Sequence, residues 1–285
     1  MAIRIFSDSG ADIRPDFARE LGVTVVPLSA HFGEAVYKDG VDLLPDEFYR
    51  LLVTSQELPN TSQPSPGDFL TAYQQNSEPG DIIFSIHLSS KMSGTFQSAT
   101  LAAKQLTDRE VRLIDSKSAS LGEAIPVVMA ARWAKAGVAP DTIERRVQYM
   151  IENQVLYFVV GTLEYLHRHG RIGKAQHLMG SLLNIKPVLT IEDGMVSPAE
   201  KVRGEARALA RAMELLREKT PAARSYIAGV VDANVRETAD KMAAQMQEYF
   251  PNAEILRAML GPTIGIHAGP GTIGLMINAI PEDII

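Results

Sequence analysis

The sequence predicts an α/β fold in two domains: an N-terminal one on a mostly parallel sheet with flanking helices, and a C-terminal one of mixed α+β texture. Three observations carry this. Three early segments repeat one plan, a short apolar strand, a polar loop and a helix, which argues for parallel strands joined by helical crossovers. The texture changes near Asn153, after which a hairpin and alternating strands and helices follow, so the domains are expected over residues 1–153 and 154–285. The 285 residues, 46% hydrophobic and 22% charged, suffice for two ordinary globular cores.

Taken in order, Ile3 to Phe6 is the first strand, leading through Ser7-Asp8-Ser9-Gly10 to a helix from Pro15 to Leu21. Tyr37 to Asp42 reads as a turn before a helix with Pro45 at its first position, where a missing N–H costs nothing. Pro59 to Gly67, with three prolines and three hydroxyl residues, reads as a rigid loop. Ile82 to Leu88 is a strand that opens through Ser89, Ser90, Ser93 and Thr95 into a helix reaching Leu106. Val111 to Ile114 repeats the plan through Asp115 to Ser120 and a helix to Ala136, and Asp141 to Glu152 is a further helix.

In the second half, Leu156 to Val160 is a strand, and Leu163 to His169 a short helix ended by Gly170. Lys186 to Val202 forms a hairpin turning at Asp193-Gly194, a pair suited to positive φ. Helices over Glu205 to Lys219 and Val235 to Tyr249 alternate with strands over Tyr226 to Val231, Glu254 to Met259 and Thr272 to Ala279.

Composition excludes several classes. A net charge of −6 without a Lys/Arg-rich run lacks the electrostatic footprint of a nucleic-acid binder. The absence of cysteine removes disulfides, thiolate metal sites and cysteine nucleophiles. With no apolar run long enough to span a bilayer and no signal-like start, a cytoplasmic protein is expected.

The serine-rich loop before a helix is the strongest chemical signal, because helix N-termini carry unpaired N–H groups at the positive end of the dipole and receive carboxylates or phosphates. All three polar loops fall at the carboxyl ends of predicted parallel strands, where α/β sheets bind ligands. Ser93 suits a helix cap and a ligand-binding hydroxyl equally, with a covalent nucleophile as a further alternative. His267, among glycines and prolines, has little side-chain bulk around it, so it could reach a ligand or bond a carbonyl structurally.

Other patterns carry less. Gly269-Pro-Gly-Thr-Ile-Gly274 matches the dinucleotide fingerprint by letter but lacks the following helix, second strand and acidic residue. Gly170-Arg-Ile-Gly-Lys174 is not a phosphate loop, since Ala175 stands where a hydroxyl belongs; it is a helix cap or an exposed cationic patch. Glu164 and His167 could share a helix face as metal ligands, but no second pair accompanies them, and surface positions are the better reading.

Seven motifs in one order, Ser7-Asp-Ser-Gly-Ala-Asp12, Tyr37-Lys-Asp-Gly-Val-Asp42, Thr61-Ser-Gln-Pro-Ser65, Ser89-Ser-Lys-Met-Ser-Gly-Thr95, Asp115-Ser-Lys-Ser118, Gly170-Arg-Ile-Gly-Lys174 and His267-Ala-Gly-Pro-Gly271, together resemble the DegV family. The resemblance spans essentially the whole chain. It implies a two-domain DegV-like fold holding a long-chain fatty acid between the domains, with no cofactor and no metal. In some members the bound acid is presented to a separate ATP-dependent fatty acid kinase, which makes an acyl phosphate for phospholipid synthesis.

By position, the resemblance implies Thr61, Ser62, Ser93, Gly94 and His267 as the ligand-binding set, with Thr61 and Ser93 on the carboxylate and the Ser93 N–H assisting. Arg171 would meet the kinase. Ala268 departs from the family pattern, where a hydroxyl residue is frequent. On this reading the chain is a non-catalytic lipid-binding subunit, with His267 and the helix behind Ser93 offsetting negative charge. The rivals are a stand-alone hydrolase or phosphotransferase using Ser93 as nucleophile and His267 as base, and a lipid-responsive regulatory sensor.

Overall fold

The computed structural model describes residues 2–55, 57–179, 185–281 and 284. Strand β1 (Ile3–Asp8) passes through a 3-10 turn (Ser9–Ala11) into α1 (Pro15–Leu21) and β2 (Val23–Val26), which pairs parallel with β1. An excursion follows: β3 (Ser29–Phe32), β4 (Ala35–Lys38), α2 (Pro45–Thr54) and β5 (Asn60–Ser62), in which β3 pairs antiparallel with both β4 and β5. Then come α3 (Pro66–Asn76), β6 (Ile82–His87), α4 (Thr95–Ala103) and β7 (Glu110–Asp115), closing a wholly parallel sheet in the order β2-β1-β6-β7. Every residue of β6 is buried, as a central parallel strand covered on both faces requires.

Helices α5 (Leu121–Lys135) and α6 (Pro140–Glu152) lead to the second sheet. It comprises β8 (Val155–Val159), β9 (Ile185–Glu192), β10 (Met195–Arg203), β11 (Tyr226–Asp232), β12 (Ala253–Met259) and β13 (Ile273–Ala279), in the order β10-β9-β8-β13-β11-β12. Only β11 and β12 run parallel, so this sheet is mixed as expected. Helices α7 (Glu164–Arg168), α8 (Glu205–Lys219), α9 (Arg236–Tyr249) and α10 (Pro262–Ala268), with a 3-10 segment over Gly173–Leu178, complete it. The β9–β10 hairpin turns at Asp193 and Gly194 with φ of 50° and 77°, the pair of positive values a two-residue hairpin turn needs.

Helix α5 ties the two sheets together. It is buried along nearly its whole length and packs on β1 and β6 of one sheet and on β11 and β13 of the other. A helix apolar all round is a core element rather than a surface one. Pro126 inside it has no N–H to offer the Gly122 carbonyl. Gln154 supplies the missing donor, its Nε2 lying 2.7 Å from Gly122 O, while its Oε1 accepts from Ser118 Oγ at 2.8 Å.

Two expectations need correction, and one element was not expected. The segment read as a rigid loop over Pro59 to Gly67 contains β5 and the first turn of α3, capped by Ser65 and Asp68 in a reciprocal capping box. Pro262 to Ala268, given no element by the sequence, is helix α10, with His267 in its last turn. The helix expected to reach Leu106 ends at Ala103. Glu164 and His167 are exposed, Glu164 pairing with Arg168 one turn on, and among the described residues no cluster is arranged to hold a metal. Gly269 to Gly274 is the turn from α10 into antiparallel β13, with no crossover unit. Among the described residues no helix is long and apolar enough to cross a membrane.

Candidate functional site

A cavity lies between the two sheets. Leu28, Leu88 and Ala119, just beyond the carboxyl ends of β2, β6 and β7, form one wall; Leu156, Phe158 and Met276 of the second sheet form the other. This is the place at which parallel strands leave room for a ligand. The lining is largely aliphatic, and its polar members include Thr61, which bonds His267, and Ser93, whose neighbour Met92 is held by Arg171.

Each of these arrives by a different route. On β5 side chains alternate, so Thr61 faces inward while Asn60 and Ser62 face solvent. Pairing with Ala30 of β3 fixes that register. Thr61 Oγ1 lies 2.9 Å from Nε2 of His267, a bond between residues 206 positions apart. Ser62 lines no part of the cavity and instead bonds His31 Nε2 at 2.8 Å.

Ser93 precedes α4, and its hydroxyl bonds Thr95 Oγ1 at 2.9 Å. Its backbone N–H donates to Ser89 O at 3.1 Å, so that donor is already committed within the loop and only the hydroxyl is presented. Gly94 sits where a Cβ would collide with the Gln63 carboxamide, which explains the glycine by close packing rather than by contact with the cavity.

His267 is carried by α10, whose N-terminus is held from the other unit: Gly261 N–H donates to Asp12 Oδ1 at 2.7 Å and Thr263 N–H to Asp39 Oδ2 at 3.0 Å. Burial first, then the neighbouring His169 and Arg171, pushes His267 down to about 3, so its imidazole is neutral near pH 7. Its Nδ1 is buried without a partner. The positive charge expected of His267 is therefore missing at neutral pH, and the neighbouring cation is Arg171.

Arg171 is exposed at the mouth, its Nε on Met92 O at 3.1 Å and its Nη1 on His169 O at 2.7 Å. His169 joins the site without having been expected there. Its ring packs edge-to-face on His267 at 5.0 Å between centroids, and its Nε2 lies 2.9 Å from Pro59 O, two residues before Thr61. It thus links the strand carrying Thr61, the helix carrying His267 and the loop carrying Arg171. A histidine just ahead of the Gly170-Arg-Ile-Gly motif gives no sequence signal of that role.

A Ser93–His267 dyad is not formed. His267 Nε2 is bonded to Thr61 and Ser93 Oγ to Thr95, and no orienting group holds His267 Nδ1. Beneath the cavity a buried polar chain runs from Tyr73 OH to Ser85, His87 and Asp8, with links of 2.7, 2.6 and 2.9 Å. Asp8 also accepts the Leu88 and Gly10 N–H groups, bracing the loops after β1 and β6 from below.

The model of the DegV family, described as uncharacterised proteins, matches residues 2–279. A DegV domain-containing protein of Halalkalibacterium halodurans is 42% identical over 274 residues, covering 96% of this chain and 97% of that protein. Among solved structures, a Thermus thermophilus DegV family protein described by its fatty acid binding superposes with a TM-score of 0.92 at 34% identity, over 98% of this chain and 100% of the other. DegV of Bacillus subtilis, described as a fatty acid binding protein, gives 0.91 at 32% identity over 98% and 99%. In sequence over nearly its whole length, and in fold, this chain belongs to the DegV family.

Proposed function

We propose that the chain binds a long-chain fatty acid in this cavity, tail along the aliphatic walls and carboxylate at Thr61, Ser93 and His267, and presents that carboxylate to a separate ATP-dependent kinase. The carrying observation is a largely aliphatic cavity whose lining includes the hydroxyls of Thr61 and Ser93, the neutral imidazole of His267 and the Arg171 guanidinium. Fatty acid binding by structural relatives supports it. Residues 1–153 and 154–285 act as the two domains enclosing the ligand.

Affinity and orientation come from different parts. Burying an acyl chain contributes about 0.8 kcal/mol per methylene, so a dozen supply roughly 10 kcal/mol before the costs of association. A charge-assisted hydrogen bond adds about 1.5–3 kcal/mol. The tail therefore sets affinity and the head group sets direction. The Thr61 and Ser93 hydroxyls donate to the carboxylate, and Arg171 at the mouth faces both the head group and the incoming partner. Ser62 and Gly94 act indirectly, through His31 and through Gln63. With no Ser93–His267 hydrogen bond, the phosphoryl chemistry belongs to the kinase.

The test is a mass measurement under non-denaturing conditions followed by identification of any released small molecule. A fatty acid at near one-to-one, and its loss or a roughly tenfold weaker affinity in Thr61→Val/Ser93→Ala, is the expected result. A protein that carries no fatty acid and refuses added ones sinks the reading; unchanged affinity and kinase turnover in the double variant sinks the head-group assignment.

A further inference from the structure

Glu123 is a carboxyl group that the site above leaves unused. It lies in the first turn of α5 and is 0% exposed, the one glutamate buried to that degree among the described residues. Its Oε1 accepts from Ser7 Oγ at 2.9 Å, and its Oε2 is buried with no donor. The other polar side chain in hydrogen-bond contact with it is the carboxyl of Asp8, also 0% exposed. Two ionised carboxyls offer each other acceptors alone, so a proton has to stand between them.

Asp8 receives three N–H groups, from His87 Nδ1 at 2.9 Å, Leu88 at 3.1 Å and Gly10 at 2.9 Å, against the single hydroxyl that Glu123 receives. Negative charge settles where N–H donors converge, which leaves the proton on Glu123. No lysine or arginine bonds either carboxyl among the described residues. Of the elements packed on α5, β1 and the turn after it bring Asp8 and Asp12, and β6 brings His87. From α1, α6, β11 and β13, Leu21, Val147, Ile227 and Met276 join the same core. Asp39 adds a further like charge near Asp8. Burial first, then Asp8 and Asp12, raises the Glu123 carboxyl well above its ordinary range.

The pair lies under the cavity wall. Asp8 holds the N–H of Leu88, and it holds Gly10, whose carbonyl accepts the Ser120 N–H at 2.6 Å. Leu88, Ala119 and Ser120 line the cavity. We propose that Asp8 and Glu123 share one proton at neutral pH, and that this proton is a pH-sensitive latch on the wall. Its loss on alkalinisation sets two buried negative charges against each other beneath Leu88 and Ser120, and the wall loosens. The shared proton stands on its own; the effect on a ligand rests on the fatty-acid reading above.

Infrared difference spectra of the wild type and Glu123→Gln at neutral pH test the proton. Glutamine keeps an acceptor for Ser7 and offers Asp8 an N–H, so it copies the protonated form without titrating. The wild type should show the C=O stretch of a protonated carboxyl, shifted by heavy water and by isotope labelling of glutamate carboxyls, and the variant should lack it. Labelling assigns the band to a glutamate in the wild type whether or not the variant folds. Urea unfolding and stearic acid titrations are then run against pH. Above the ordinary 4.5 the unfolded chain has released a proton that the folded chain keeps, so stability falls as pH rises. The unfolding constant of the wild type relative to Glu123→Gln should rise about tenfold per pH unit, levelling once Glu123 ionises. The ratio of wild-type to variant Kd for stearic acid should be flat below that point and rise by up to about tenfold per unit above it. Absence of the glutamate band overturns the shared proton and the latch together. A Kd ratio that stays flat past the levelling point overturns the latch, as does a stability ratio that never levels. Failure of the wild type to bind stearic acid at any pH, with the band present, overturns the fatty-acid reading and leaves the shared proton supported.

Discussion

Replacing His267 with Gln tests the electrostatics of the head group directly. Glutamine keeps an Nε2 donor near Thr61 but cannot titrate. The folded imidazole is pushed from the ordinary 6.5 to about 3, so between those values the unfolded chain binds a proton that the folded chain refuses. Stability contributed by the neutral histidine is therefore full above about pH 6.5 and falls as pH drops through the window. At about pH 5 the unfolded imidazole is almost fully protonated and the folded one is not, which costs the wild type about 2 kcal/mol relative to pH 7. This figure depends on the unfolded value alone so long as the folded value stays well below about 5. Urea unfolding of both proteins at about pH 7 and about pH 5 isolates the effect, because every other titrating group cancels in the double difference. The His267→Gln variant should gain about 2 kcal/mol on the wild type between the two pH values. An unchanged difference would mean that the imidazole titrates freely and would refute its assignment as a buried neutral group. Added fatty acid should shrink the difference, since a carboxylate beside the ring raises the folded value.

Two further outcomes follow from particular bonds. Gln154→Leu leaves the Gly122 carbonyl, already stripped of its helical donor by Pro126, without a partner, and should destabilise the protein by about 1–3 kcal/mol in urea unfolding. Arg171→Gln should weaken fatty acid binding by about twofold to fivefold at low salt and leave it unchanged at high salt, because the guanidinium is exposed and screened. Titrations at the two ionic strengths check this, and a loss that survives high salt would place Arg171 in direct, desolvated contact with the ligand.

Much of the frame was legible because its signals are local. Ile82 to Leu88 is apolar at nearly every position and could be little other than a buried strand; Asp193-Gly194 can supply two positive φ values and so announces a hairpin. Strand β5 was hidden because Asn60, Thr61 and Ser62 between prolines have loop chemistry, and only pairing with β3 makes them a strand. The capping box of α3 was present in Ser65 and Asp68 but lay inside a Pro/Gly-rich run. Helix α10 could not have been read at all. It is seven residues long and contains Gly265, so its own propensity is poor, and its capping carboxylates, Asp12 and Asp39, come from more than two hundred positions away. The same holds for the site. Ser93 and His267 stood out by local pattern and Thr61 entered through family likeness, while His169 and Asp12 matter through contacts that no spacing encodes.

The bond between Thr61 and His267 has a consequence for how the molecule is made. Thr61 and His267 stand 206 positions apart, so their contact forms only after both passages have folded together. On the proposed fatty-acid reading, a growing chain holds no acyl carboxylate there until α10 has docked on Asp12 and Asp39. Any ligand gripped at that contact then belongs to the finished fold alone, and by binding only that state it acts as a late lock on biogenesis.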